Sequence, residues 1–323
     1  MRSIFAFLLL FSVFLSCTDD DGVIQPDSTV EWKNLKTSDG LPSNEVYKLF
    51  EDSKANVWIG TDKGIALFDG ERFKSFNQIN AQLGYADAIT EGPDGEIWVG
   101  SANGIALYEE GEWFFFNSIE GLDLGVISLH STRAGKILMG TTNLGILIYD
   151  GSGFLQLYDE DCSECNSARV FLEDIQGQVW IGTDGGLKRL RGNQVTLFTT
   201  HGLSVNQIRT LEEDQWGRIW VGTLYGEDPL AFENERFRFI KMQNGLELNP
   251  IYALAEDRGG TMWLGLIKGG LITYDGAFMK PITSSEGPGL ETIFSVIERS
   301  NGEIWAGTST KGIFIYSPSA TTP

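Results

Sequence analysis

Short apolar runs alternate with polar turns along the chain, and one apolar run keeps returning. Val57-Trp58-Ile59-Gly60-Thr61 reappears as Ile97-Trp98-Val99-Gly100-Ser101, as Val179-Trp180-Ile181-Gly182-Thr183 and as Ile219-Trp220-Val221-Gly222-Thr223. Two further copies are Met262-Trp263-Leu264-Gly265-Leu266 and Ile304-Trp305-Ala306-Gly307-Thr308, and a degenerate copy, Ile137-Leu138-Met139-Gly140-Thr141, fills the one gap. With Leu138 standing in, the Trp positions lie 40, 40, 42, 40, 43 and 42 residues apart. A period of that length marks a repeat architecture, and each unit is too small to hold a core alone.

Each unit reads as four strands, A to D. In the first, Glu45–Glu51 is strand A, Val57–Thr61 strand B, Gly64–Phe68 strand C and Arg72–Phe76 strand D. Asp69-Gly70 between C and D is a hairpin signal, repeated at Asp150-Gly151 and Asp275-Gly276. Strand B is apolar on both faces, as a sheet sandwiched between two others must be, and Gly60 leaves room for a close neighbour. Seven such units predict an all-β chain, a seven-bladed β-propeller of four-stranded antiparallel blades over residues 30–317. The last unit has strands B and C but runs out before D. Val30–Leu35 has strand character and is expected to supply that outer strand, closing the ring.

Counting back from each Trp separates structural columns from variable ones. Nine places before it stand Leu49, Ile89, Leu129, Phe171, Leu211, Leu254 and Val296, a core column. Seven places before it stand Glu51, Glu91, Glu173, Glu213, Glu256 and Glu298, with Ser131 as the exception. Each Glu is expected to accept hydrogen bonds from its own A–B turn; the alternative is a carboxylate ring that holds a cation. Eleven places before the Trp the residues vary: Tyr47, Asp87, Ile127, Arg169, Arg209, Tyr252 and Phe294. Variation at equivalent positions of a regular scaffold, near one mouth of the channel, is where a ligand site would be written.

Composition narrows the partners. The net charge of -20 argues against nucleic acid and anionic membrane surfaces, and 39 Gly fit many tight turns. Arg2 and the apolar run from Ile4 to Leu15 read as a signal peptide, too short to span a bilayer. Leu15-Ser16-Cys17 is similar to a bacterial lipobox. That resemblance implies cleavage after residue 16, an acylated Cys17 in the lipid bilayer, a flexible tether over 17–29 and an outer membrane lipoprotein on the cell surface or periplasmic side. Residues 318–323 form a tail.

The repeat Asp-x-x-Gly-x-[Ile/Val]-Trp-[Ile/Val]-Gly-Thr-x-x-Gly-[Ile/Leu], carried most fully by Asp94–Ile105, resembles the two-component regulator propeller repeat. The resemblance implies a sensor-type propeller of the kind found in the periplasmic regions of hybrid histidine kinases, many of which respond to carbohydrates. With no second propeller, membrane helix or kinase after the repeats, the expectation is a stand-alone lipoprotein without kinase activity.

Candidate chemistry gathers on one side. Arg169 and Arg209 offer fork donors for hydroxyls or a carboxylate; alternatively they pair with Glu227 or Asp228 and brace the rim. Tyr225 and Tyr252 could stack on a sugar ring, and Tyr225, Glu227 and Asp228 sit on a B–C loop longer than that of the preceding unit. Tyr47 and Asp87 complete the expected ligand-binding set. Cys162-Ser163-Glu164-Cys165 admits a zinc site, a redox pair or a loop-bracing disulfide. Zinc lacks further ligands beyond His130 and His201, a redox pair wants a helix start that this loop does not offer, and a disulfide suits an exported protein. No nucleophile elbow, phosphate loop or metal-ligand cluster stands out, so no catalytic residue, metal or cofactor is expected. The expected partner is a small molecule or glycan, or another cell-surface protein. A propeller lyase of the streptogramin-lyase type, which uses His and Glu near a metal, and a protein–protein scaffold are the alternatives.

Overall fold

A computed structural model describes residues 31–119, 122–123, 125–142, 144–158, 163–192, 194–198, 207–224, 229–240, 250–282 and 287–318. The expected signal peptide, Cys17 and the tether lie outside these residues. Seven four-stranded antiparallel sheets follow one another around a ring. Strand A of blade one is Val46–Glu51, followed by Val57–Thr61, Gly64–Phe68 and Phe73–Ser75. The seventh blade holds Ile293–Glu298, Ile304–Thr308 and Ile313–Ser317, and its outer strand is Glu31–Leu35 from the other end of the chain. Glu31 pairs with Ser317 and Leu35 with Ile313, so the closure expected from the missing strand is present.

The repeated Gly of strand B fixes how closely the blades approach. A Cβ on Gly60 would lie 2.3 Å from the carbonyl oxygen of Ala86, and one on Gly140 would lie 2.1 Å from that of Ala168. Both carbonyls belong to the following blade, so only a residue without a side chain admits that spacing. The repeated Trp is tied down by a carboxylate. Trp58, Trp180, Trp220 and Trp263 donate their indole N–H to Asp52, Asp174, Asp214 and Asp257 at 2.7–2.8 Å. In blades two and seven the Asp position is Gly92 and Arg299, and the acceptor moves to Glu96 and Glu303. A Cβ on Gly92 would meet Glu96 Oε1 at 1.9 Å, so the glycine makes room for the relocated acid.

The Glu column corrects one expectation. These carboxylates accept from the A–B turn of the preceding blade, not their own. Ser53 N–H donates to Glu91 at 2.8 Å, Arg133 N–H to Glu173 at 2.7 Å, Ile175 N–H to Glu213 at 2.7 Å and Arg258 N–H to Glu298 at 3.0 Å. The preceding turn is the nearer source of an unpaired N–H because the blades are packed so tightly. Ser131 has an explanation here: the donor position facing it is Pro93, which has no N–H to give. A second departure is the helix Asn77–Leu83, which follows strand D of blade one and buries Ile79 and Leu83. Its Asn80 accepts from Ile65 N–H at 2.8 Å and so caps the edge of strand C.

Candidate functional site

Strand A is the innermost strand of each blade, and in six blades its pairing with strand B slips by one residue near the start. The slips fall at Tyr47, Ile127, Arg169, Arg209, Tyr252 and Phe294. These are the variable positions eleven before the Trp. A bulge re-aims a side chain, and here it turns each of them toward the ring axis. Together with Asp87 of blade two they line one cavity of about 240 Å³ at a mouth of the channel. The sequence therefore located the rim through its variability, while the bulge that presents it leaves no mark in composition.

The wall of the cavity is polarised. Tyr252 meets Phe294 edge-on with ring centroids 5.3 Å apart, and Phe294 meets Tyr47 at 5.2 Å, so blades six, seven and one form an aromatic arc. Tyr85 extends that arc, 6.2 Å from Tyr47. Arg169 and Arg209 stand on blades four and five. Arg169 clasps Asp184 through Nε at 3.1 Å and Nη2 at 2.7 Å, and Arg209 Nη1 lies 3.6 Å from the same carboxylate. Asp184 is on the B–C loop of blade four and was not foreseen as their partner. Asp184 thus bridges the guanidiniums of blades four and five. Glu227 and Asp228, the partners of the alternative reading, and Tyr225 and His201 lie outside the described residues.

The opposite edge, on blades one and two, is acidic. Burial raises the Asp87 carboxyl to about 6, with Arg169 pulling it back. Tyr47 donates its hydroxyl to Glu45 Oε1 at 2.8 Å. Burial first, then Glu45, Asp87 and Asp62 push the Tyr47 phenol upward, so it stays a neutral donor. Burial also raises Tyr252, opposed by Arg209.

Below the rim lies a second set of polar groups, of which sequence reasoning had weighed only His130. Lys48 lines the base of the cavity. Burial lowers its pKa, with Glu212 opposing. Burial raises Glu212 to about 8, and its Oε1 accepts from Glu256 N–H at 3.5 Å. His130 is lowered by burial against the pull of Glu173, and its buried Nε2 has no hydrogen-bond partner among the described residues. The three stand on strand A of blades one, three and five, and Lys48 acts electrostatically on both of the others. The signal available in sequence was their rarity: Lys, His and Glu replace small or apolar residues at equivalent positions of the inner strand.

Cys165 is disulfide-bonded, and it lies within a single 3₁₀ turn, Ser163–Asn166, where a loop without helix was expected. Cys162 lies outside the described residues. Among those residues no group of three or more His, Cys, Asp or Glu could hold a metal ion.

Three stretches, residues 40–63, 202–225 and 245–267, match the two component regulator propeller family. No curated protein sequence matches the chain. Of solved structures, the extracellular domain assigned to the hybrid two component system BT3049 of B. thetaiotaomicron is 20% identical with a TM-score of 0.73. It aligns over 89% of this chain and 42% of its own. The chain thus spans about two-fifths of that extracellular domain. Virginiamycin B lyase from Staphylococcus aureus, in a catalytically inactive His-to-Ala form with quinupristin, is 13% identical with a TM-score of 0.73, over 90% of this chain and 99% of that one. PorZ, a surface component of the type-IX secretion system of Porphyromonas gingivalis, is 17% identical with a TM-score of 0.68, over 88% and 48%. At these identities the shared property is the seven-bladed ring.

Proposed function

Taking the chain as a propeller built from two component regulator repeats, we propose that it is an extracytoplasmic sensor-type binding protein. It takes an acidic saccharide in the axial cavity and is held to a membrane by an acylated Cys17. The observation that carries this reading is the polarised cavity. The arc of Tyr252, Phe294 and Tyr47 offers ring faces for the apolar side of a sugar. Arg169 and Arg209 face a carboxylate or sulfate, and Asp87 accepts from sugar hydroxyls. A volume of about 240 Å³ suits a terminal residue of a glycan rather than a long segment. The extracellular placement of the similar sensor domains supports an extracytoplasmic location.

The test is calorimetry against a panel of neutral, uronic and sulfated mono- and disaccharides. Acidic sugars are expected to bind, and Arg169→Ala with Arg209→Ala to weaken them roughly 30-fold or more, the scale of one or two charged hydrogen bonds. Binding of neutral sugars alone, or of none, would remove this reading. For the anchor, palmitate labelling should mark the native chain and not Cys17→Ala.

A lyase reading has one observation in its favour: Lys48, His130 and Glu212 place three buried titratable groups below the cavity, Lys48 and His130 lowered and Glu212 raised by burial, where acid–base chemistry could run. Turnover of quinupristin, followed by chromatography because elimination within a ring leaves the mass unchanged, would be lost in His130→Ala if that reading holds.

A further inference from the structure

The junction between blades three and four differs from every other junction in the ring. Elsewhere the strand-B Trp packs on an aromatic ring at the end of strand C of the next blade. Trp58 meets Tyr108 at 5.4 Å, Trp98 meets Tyr149 at 5.6 Å and Trp180 meets Phe232 at 5.1 Å. Trp220 meets Tyr274 at 5.3 Å, Trp263 meets Tyr316 at 5.2 Å and Trp305 meets Phe68 at 5.5 Å. The receiving residue is always the one opposite the residue before the Trp in the B–C pairing. In blade four that residue is Leu190, opposite Val179, and the side chain facing it from blade three is Leu138.

Both members of the pair are therefore reduced together, and a third reduction accompanies them. The strand-D residue opposite Leu190 is Val195, where blades one, two and three carry Phe73, Trp113 and Phe154. The space is not taken up by closer approach. A cavity of about 320 Å³ remains, lined by Leu138, Ile148, Leu157, Val179, Leu190 and Val195 among others. The acceptor for an indole N–H has gone as well. Six and two places before Leu138 stand Thr132 and Lys136, and the Thr132 hydroxyl is engaged with its own turn.

We propose that this slot is a binding site for a small planar aromatic molecule of indole size. The fold itself supplies the template, because indole rings fill the equivalent space at the other six junctions. Apolar cavities of about half this size hold benzene in other proteins through dispersion contacts, and Thr132, Lys136 and Glu173 on the same lining place polar groups beside the apolar wall. The site is separate from the axial cavity: the two share no lining residue.

The experiment uses the full chain, with indole as the probe, followed by calorimetry and by saturation transfer to the indole ring protons. Indole is expected to bind and to raise the melting temperature. Leu138→Phe, which fills the slot without a ring N–H to satisfy, is expected to raise the melting temperature by itself and to weaken indole binding at least tenfold. Leu190→Phe fills the slot from the other side and should do the same, so one poorly folding variant does not leave the question open. Arg169→Ala with Arg209→Ala should leave indole binding unchanged. Absence of indole binding by the native chain would overturn the proposal, as would equal binding by a well-folded filled variant.

Discussion

Ser300 N–H donates to Glu51 Oε2 at 2.6 Å, joining blade seven to blade one across the seam of the ring. Arg299 reinforces the same carboxylate through Nε at 3.0 Å. Glu51→Ala leaves the Ser300 N–H without its acceptor and takes one of three from the buried Arg299 guanidinium, which also donates to Glu303 and to the Ala55 carbonyl. The expected loss is about 1–3 kcal/mol, read from the urea midpoint. Glu71, exposed on a C–D turn, is the control; equal effects at both positions would deny the seam any special role.

Pro93 and Ser131 offer a designed version of the same latch. Ser131→Glu alone meets a proline and should gain nothing, and Pro93→Ala alone restores a donor without an acceptor. The double variant should show a favourable coupling of about 1 kcal/mol in a double-mutant cycle. Strict additivity would mean that the other Glu–turn bonds follow blade packing without contributing to it.

Trp32 lies on the closing strand, buried, with its ring 5.4 Å from Tyr316 and 6.4 Å from Phe314. Trp32→Ala is expected to destabilise the chain by about 3–5 kcal/mol. A change below about 1 kcal/mol would show that the ring holds without its clasp.

Asp87 should make ligand binding pH-dependent. Its folded pKa of about 6 lies above the ordinary 3.8. The stability it contributes is therefore complete below the ordinary value and is lost as the pH rises through about 6. An acidic saccharide meets less repulsion once this carboxyl is protonated, so affinity should rise as the pH falls through about 6. Asp87→Asn should flatten both dependences; an unchanged affinity profile in that variant would place the titrating group elsewhere.

Much of this molecule was legible in its sequence because its physics repeats. Trp58 and its equivalents fixed the period, Gly60 and its equivalents the blade contact, and the missing strand after Tyr316 the closure. The variable column from Tyr47 to Phe294 marked the cavity rim for the complementary reason, since side chains free of a packing role can differ. What escaped depends on geometry between units. The partner of Arg169 is Asp184, fifteen residues on and brought back by a B–C loop. The carboxylate at Glu91 looks across to Ser53 in another blade, thirty-eight residues away, and a pattern within one repeat does not say which neighbour it will face. Helix Asn77–Leu83 was hidden because it interrupts the repeat instead of belonging to it.

The closing strand also imposes an order in time. Asn34 donates to the carbonyl of Ile313, 279 residues further along. At synthesis rates of roughly 10 residues per second, the first strand made waits about half a minute for its partner. Through that interval its edge is open, and six blades must stack before the seventh can form. The ring therefore cannot lock until its last strands exist: up to that point the chain is an open arc, and closure is one late event that no earlier blade can bring about.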